Sequence, residues 1–293
     1  MTSIRIVEST PKTKLSIISS VPENPDAVAL VLPAMGVPAK LYTDFAEKMA
    51  ANGIAALVMD LRGQGGSVPK SSRNANWTHS DLVDIDVPAA LEFAAKECPD
   101  LPIFLIGHSL GGHLALMRAS RAPEGLAGVV LIASGSVWFR TFDGVQQQVK
   151  SLLGAQLFAL VARTLGYFPG ERMGFGGRQA TGVMTTWARQ VRQGIMTDDG
   201  NTSGNGIFEC DLPLLAVRVE GDTLATEAGV RRLVDAVPHA PQADWTYTAA
   251  EAGGRLDHFR WAKHSGALAT RLKSWMDTVV ADTQEVSRSE GES

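Results

Sequence analysis

Cysteine is almost absent from this chain: Cys98 and Cys210 are the only two among 293 residues. Two thiols build neither a disulfide framework nor, unaided, a zinc site, and they fit an ordinary protein of a reducing compartment. Also missing is any run of the ~20 apolar residues that a membrane-spanning helix needs. The opening residues, MTSIRIVESTPKTK, lack the apolar core of a secretory leader. The expectation is therefore a cytoplasmic protein with no membrane span. No basic stripe occurs: 27 basic and 31 acidic residues are mixed along the chain, for a net charge of −4, which argues against a nucleic-acid partner. Internal repeats and low-complexity tracts are lacking too. What is present, 45% hydrophobic and 20% charged residues, is enough apolar material to bury a sheet on both faces.

Apolar runs with no polar alternation recur along the chain, and such runs fit strands covered on both faces. They lie at Ala27–Met35, Ala55–Leu61, Ile103–Gly107, Gly128–Ala133 and Leu214–Glu220, with a further strand at Asp244–Thr248. Two short strands precede them, Ile4–Glu8 and Lys14–Val21, broken by the Pro11 turn. Helical patterns fall between: Leu41, Phe45 and Met49 at spacing four, then Leu82–Ala95, Leu110–Ala119, Glu227–Val237 and His264–Val279. Pro88 inside the second implies a kink or a late start. Strands alternating with helices predict an α/β architecture: a mostly parallel eight-stranded sheet, its first two strands antiparallel at one edge, with helices on both faces.

One segment breaks the rhythm. The reading divides the chain into a first core part (1–136), a helical lid insertion (137–211), a second core part (212–282) and a disordered polar tail (283–293). The lid carries helical stretches at Gln146–Leu165 and Val183–Gly194 around a glycine-rich middle, YFPGERMGFGG. Its aromatic and methionine residues (Phe158, Phe168, Phe175, Met184 and Trp187 among them) could line an apolar acyl pocket or form the lid's own core; both readings stay open.

The chemistry centres on Gly107-His108-Ser109-Leu110-Gly111. This G-x-S-x-G follows an apolar strand, PIFLI, and opens an apolar helix, HLALMRAS, the context that a nucleophile elbow requires. A strand-to-helix turn this tight forces its central residue into a strained conformation, and side chains two positions either side would collide, hence Gly107 and Gly111. Ser109 then stands at the positive end of a helix, where developing negative charge is favoured.

On these residues the chain resembles the α/β-hydrolase superfamily. More narrowly, PAMGVPAKLY, DLRGQGGS, GHSLGG, YFPGERMGFGG and DHFRWAK resemble, in that order, a bacterial group of α/β-hydrolases related to the serine-aminopeptidase-like and monoacylglycerol-lipase-like hydrolases. The resemblance implies a triad in the chain order serine, acid, histidine. The acid is expected after the strand that follows the lid, at Asp222 in VRVEGDTLAT; where related sequences often carry Asp-Asp, this chain has Gly221-Asp222. Glu220, inside the strand, and Asp211, before it, lie off that place. The base is expected after the last strand, at His258 in RLDHFRW, 36 positions on (258 − 222), whereas His239 and His264 fall elsewhere and His108 and His113 read as packing residues. The oxyanion hole needs two backbone N–H donors. Leu110 supplies one, and the loop Pro33-Ala34-Met35-Gly36 the other, taken here as Met35. Relatives usually carry His-Gly in that loop. The glycines of Asp60-Leu61-Arg62-Gly63-Gln64-Gly65-Gly66-Ser67 read as structural support, since no Gly-Lys-Ser/Thr follows to make a phosphate cradle.

The function this implies is hydrolysis of a carboxylic ester of a small or medium-chain substrate through an acyl-serine, with no cofactor and no metal. Thioester or amide cleavage and acyl transfer would use the same triad. A non-catalytic ligand binder of the same fold would need none of it.

Overall fold

The computed structural model describes residues 2–194 and 209–291; the stretch 195–208, part of the expected lid, lies outside the described residues. Eight strands form the main sheet: β1 (Thr2–Thr10), β2 (Thr13–Ser20), β3 (Ala27–Leu32), β4 (Ile54–Met59), β5 (Ile103–His108), β6 (Leu126–Ile132), and, beyond a hairpin of β7 (Tyr167–Pro169) and β8 (Arg178–Ala180), β9 (Leu214–Val219) and β10 (Gln242–Tyr247). Their spatial order is β1-β2-β4-β3-β5-β6-β9-β10, with β1 and β2 antiparallel and every pair from β4 to β10 parallel.

Successive residues of a strand face opposite sides, so strands such as β3, β4 and β5, buried at every position, need cover on both faces. One side takes Leu30, Leu57 and Leu105, aligned across β3, β4 and β5, under the helices Val87–Glu97, Leu110–Arg121 and Glu227–Val234. The other takes Val31, Val58 and Ile106 under Phe45 and Met49 of the helix Thr43–Ala51 and Leu268, Leu272 and Met276 of the final helix. Each of these fully buried aliphatic side chains contributes ~1.5–3 kcal/mol.

Pro88 marks a late start, as its missing N–H demands. A turn capped by Thr78 passes into a π-helical stretch, Leu82–Asp86, and the regular helix begins only at Val87. The C-terminus departs from expectation. The last helix does not stop at Val279 but runs Gly266–Gly291, through most of the segment expected to be disordered. Polarity alone was a poor guide there: Ala281, Gln284 and Glu285 are good helix formers, no glycine or proline intervenes before Gly291, and Thr283 Oγ1 bonds back to the Val279 carbonyl at 2.9 Å. Among the described residues no helix is long and apolar enough to cross a membrane.

Between β6 and β9 the chain leaves the sheet to form two helices, Val145–Leu165 and Thr181–Gln193, flanking the β7–β8 hairpin. This insertion is tied to the loop after β4. Gln64 Nε2 donates to the Arg178 carbonyl (3.0 Å), Arg178 Nε to the Ser71 carbonyl (2.8 Å), and the Gly182 N–H to Asn76 Oδ1 (2.8 Å).

Candidate active site

Ser109 sits between the end of β5, the central strand, and the helix Leu110–Arg121, with φ 53° and ψ −116°. An L-residue in that region carries strain of ~1–3 kcal/mol, held only because the surroundings over-determine it. The flanking glycines show how. A Cβ on Gly107 would lie 2.3 Å from Gly112 N and Cα, and one on Gly111 would lie 1.9 Å from the Leu32 carbonyl oxygen and 2.9 Å from that of Pro33. The second contact also sets the loop after β3 directly against the first turn of the elbow helix. Met35 and Leu110 therefore belong to two backbone segments in contact, and among the described residues neither N–H has a protein acceptor. From below, Ser134 Oγ donates to the Ser109 carbonyl at 2.8 Å.

Asp222 and His258 are joined directly, Nδ1 to Oδ2 at 2.8 Å, with side chains 2% and 7% exposed. The carboxylate's other oxygen accepts the Leu224 and Ala225 N–H groups at 2.8 and 3.0 Å, so the side chain is fixed at both ends. Gly221, with φ +77°, makes the turn that presents it. Asp257 shapes the loop before His258's neighbours in the same way, accepting the Phe259 and Arg260 N–H groups at 2.9 and 2.8 Å. The Ser109 hydroxyl makes no hydrogen bond to His258 among the described contacts. The two segments meet instead through His108, whose ring centroid lies 4.9 Å from that of His258. In nucleophile–base pairs of enzymes such hydrogen bonds are often long without substrate and tighten when it binds.

The other candidates are occupied elsewhere. Glu220 Oε2 accepts the Ala249 N–H at 2.6 Å, Asp211 is exposed, and His239 lies on the surface 3.9 Å from Glu209. His113 is buried and holds the Gly135 carbonyl through Nε2 at 2.8 Å; burial lowers its pKa to about 4. Asp60 accepts the Ala39 and Gly66 N–H groups at 2.6 and 2.8 Å, and Arg62 forms a bidentate buried pair with Asp86 at 2.7 and 2.9 Å. The loop after β4 is thus structural. The insertion's aromatic rings stack on one another, Phe158 on Phe168 and Phe175 at 4.9 and 5.3 Å and Phe175 on Trp187 at 5.1 Å, as a core of the insertion itself.

One residue escaped the reading of the sequence. Tyr42 is fully buried; its hydroxyl accepts the Ala34 N–H at 3.0 Å and shares a hydrogen bond with His108 Nδ1 at 2.7 Å. It links the loop after β3 to the elbow. Burial pushes the phenol's pKa up and that of His108 well down, so this hydrogen bond joins two neutral groups. No local pattern marks Tyr42, because its partner lies 66 positions away.

Comparison with known proteins agrees with this architecture. Over 48 residues, 16% of each chain, the sequence is 44% identical to human (Homo sapiens) monoglyceride lipase. Over 94 residues it is 34% identical to the pimeloyl-[acyl-carrier protein] methyl ester esterase of Shewanella woodyi, spanning 31% of this chain and 36% of that one. The matches thus span about a third or less of these relatives. Among solved structures, a soluble variant of the Saccharomyces cerevisiae monoglyceride lipase with a substrate analog superposes with TM-score 0.72 over 95% of this chain and 96% of that chain at 15% identity. Est1E of Butyrivibrio proteoclasticus, with ferulic acid bound, gives 0.62 over 94% and 99% at 12%; at these identities the likeness is one of fold. The model of one family, described as serine aminopeptidase, S33, matches residues 23–199, more than half of the sequence. The chain belongs to that family of α/β-hydrolases.

Proposed function

We propose that this protein is a serine hydrolase that cleaves a carboxylic ester of a small or medium-chain substrate through an acyl-serine intermediate. Ser109 is the nucleophile, His258 the base and Asp222 the acid that orients it; the backbone N–H groups of Met35 and Leu110 receive the oxyanion. The observation that carries this reading is the buried 2.8 Å Asp222–His258 hydrogen bond, whose imidazole lies 4.9 Å by ring centroid from His108, the residue before a strained serine at a helix N-terminus. Asp222 accepting at Nδ1 leaves Nε2 as the proton acceptor. His258 takes the Ser109 proton as Oγ attacks the acyl carbon, then delivers it to the leaving alkoxide; water repeats the sequence to free the acid. The insertion expected at 137–211 serves as a cap, since its described residues 176–182 pack on the loops that follow β3 and β4. Cys98 and Cys210, both buried free thiols, support a cytoplasmic setting.

The test is a p-nitrophenyl ester series of rising chain length on wild type and Ser109→Ala, with fluorophosphonate titration. Wild type should label once per chain and turn over esters, and Ser109→Ala should do neither. Labelling without turnover of any ester would transfer the same triad to thioesters, amides or acyl transfer; no labelling would remove Ser109 from the chemistry.

A further inference from the structure

The loop after β3 and the insertion share one piece of core. Met35, half-buried, packs against the insertion's apolar cluster of Ala162, Phe168 and Met184, as Phe158, Phe175 and Trp187 do, and also against the main core. The next residue meets the insertion backbone to backbone. A Cβ on Gly36 (φ +75°) would lie 2.2 Å from the Gly176 carbonyl carbon and oxygen and 2.6 Å from Gly177 N. Seen from the other side, a Cβ on Gly177 would lie 3.0 Å from Gly36 Cα, and one on Gly176 3.0 Å from Met35 Sδ. Gly176 and Gly177 turn the β7–β8 hairpin with φ +64° and +61°, and Gln64 pins that hairpin at Arg178. A Cβ on Gly36 would run into the insertion's backbone, one on Gly177 would crowd the Gly36 Cα, and one on Gly176 would crowd only the Met35 side chain.

An oxyanion donor works only if it points the right way before the charge develops. The neighbouring Ala34 N–H is fixed by Tyr42, and the Val37 N–H by the Ala34 carbonyl at 3.1 Å. The Met35 N–H has no such bond among the described residues; the other end of its peptide, the Ala34 carbonyl, is held by Val37, and the packing around Met35 and Gly36 adds to that single bond in orienting the peptide. The geometry points to a positioning role for the insertion's glycine turn: Gly176 and Gly177 press on Gly36 while the aromatic cluster grips Met35, so the oxyanion hole is complete only while the cap is seated. This rests on the reading of Met35 as an oxyanion donor. It couples substrate enclosure to transition-state stabilisation, since displacing the cap to admit substrate would also disarm the site.

Four variants test it. Met35→Ala removes the grip and adds no atom; Met35→Leu restores most of the volume. Gly177→Ala inserts a methyl into the contact, whereas Gly174→Ala, in the same hairpin with φ +69° and open space around its Cβ, carries a similar positive-φ strain with no contact. Ester kcat and KM are measured together with inhibition by a trifluoromethyl ketone, which mimics the tetrahedral intermediate. Met35→Ala and Gly177→Ala are expected to lower kcat by about 10- to 100-fold, somewhat less than outright loss of a donor. Ketone affinity should fall by a similar factor, with KM within about threefold. Gly174→Ala should keep wild-type kcat, and Met35→Leu should recover most of the loss. If Gly177→Ala matches Gly174→Ala, or if KM carries the loss, the turn does not position the donor. Should Gly177→Ala fail to fold, the Met35 pair decides on the same criteria. A wild type that neither labels with fluorophosphonate nor turns over esters would overturn the parent reading, and this one with it.

Discussion

Removing a single oxygen, in Tyr42→Phe, separates the two halves of the site without emptying the core. The ring stays packed between Trp261 and His108, at centroid distances of 5.9 and 5.8 Å, so little cavity forms. What is lost is the pair of hydrogen bonds to Ala34 and His108, and both former partners remain buried. A buried polar group left without a partner costs ~1–3 kcal/mol, so two give about 2–5 kcal/mol allowing for partial relaxation. At roughly 2–4 °C per kcal/mol for a chain of this order of size, the thermal midpoint should fall by about 5–15 °C. Because Ala34 immediately precedes the proposed donor Met35, ester kcat should also fall several-fold at nearly constant KM. Tyr247→Phe is the matched control: its hydroxyl donates to the His264 carbonyl, away from the triad. That variant should be destabilised less and keep its kcat. A Tyr42→Phe protein melting within 1 °C of wild type with unchanged kcat would refute the link between loop and elbow.

Asp222→Asn preserves an oxygen for the Leu224 and Ala225 N–H groups, so the fold and KM should survive. The amide no longer fixes the His258 tautomer, and kcat should drop by ~10³–10⁴-fold; a loss under tenfold would move the acid role to another carboxylate. Stability should depend on pH through the buried histidines. Burial lowers His79 to about 3, helped by the nearby His113 and Arg189 charges, and lowers His113 to about 4, against 6.5 for the free groups. The unfolded chain therefore takes up protons first as pH falls below ~6.5. Stability should be flat above neutrality and decline from there towards pH 4, at up to about 1.4 kcal/mol per pH unit for each histidine. Urea midpoints at pH 7.5, 6.0 and 5.0 measure this. His113→Gln should show a shallower decline, and an unchanged slope would assign the acid sensitivity to other groups.

The parts of this molecule legible in its sequence are those whose cause is local. Uninterrupted apolar runs fit strands covered on both faces, and five of them, with the further strand at Asp244–Thr248, mark out the parallel part of the sheet to within a few residues, with β5 leading into the elbow. Gly107 and Gly111 are demanded by a turn of five residues, and they were readable for that reason. Asp222 and His258 were picked by the chain order that the resemblance implies, and the structure joins the two by a 2.8 Å hydrogen bond across 36 residues. The polar C-terminus misled because charge on every side forbids burial but not a helix. Tyr42, Gly36 and the Gly176–Gly177 turn lie within the quoted stretches PAMGVPAKLY and YFPGERMGFGG, but what each of them touches was illegible for a different reason. Each owes its identity to a surface contributed by a distant segment, as when Gly36 must lack a side chain because Gly176, 140 positions on (176 − 36), passes 2.2 Å from where a Cβ would stand. A glycine-rich stretch in the sequence says only that the backbone must be free there, and the two causes, an unusual φ or a close neighbour, look alike. Gly174 and Gly177 show both within four residues: the first needs only its positive φ, the second also meets Gly36. The reading of the insertion as a part with its own aromatic core and the reading of it as a part of the site are then compatible. Met35 packs on the insertion's core and on the main core alike, and Gly36 beside it meets the insertion's glycine turn, so the candidate site and the insertion share a boundary.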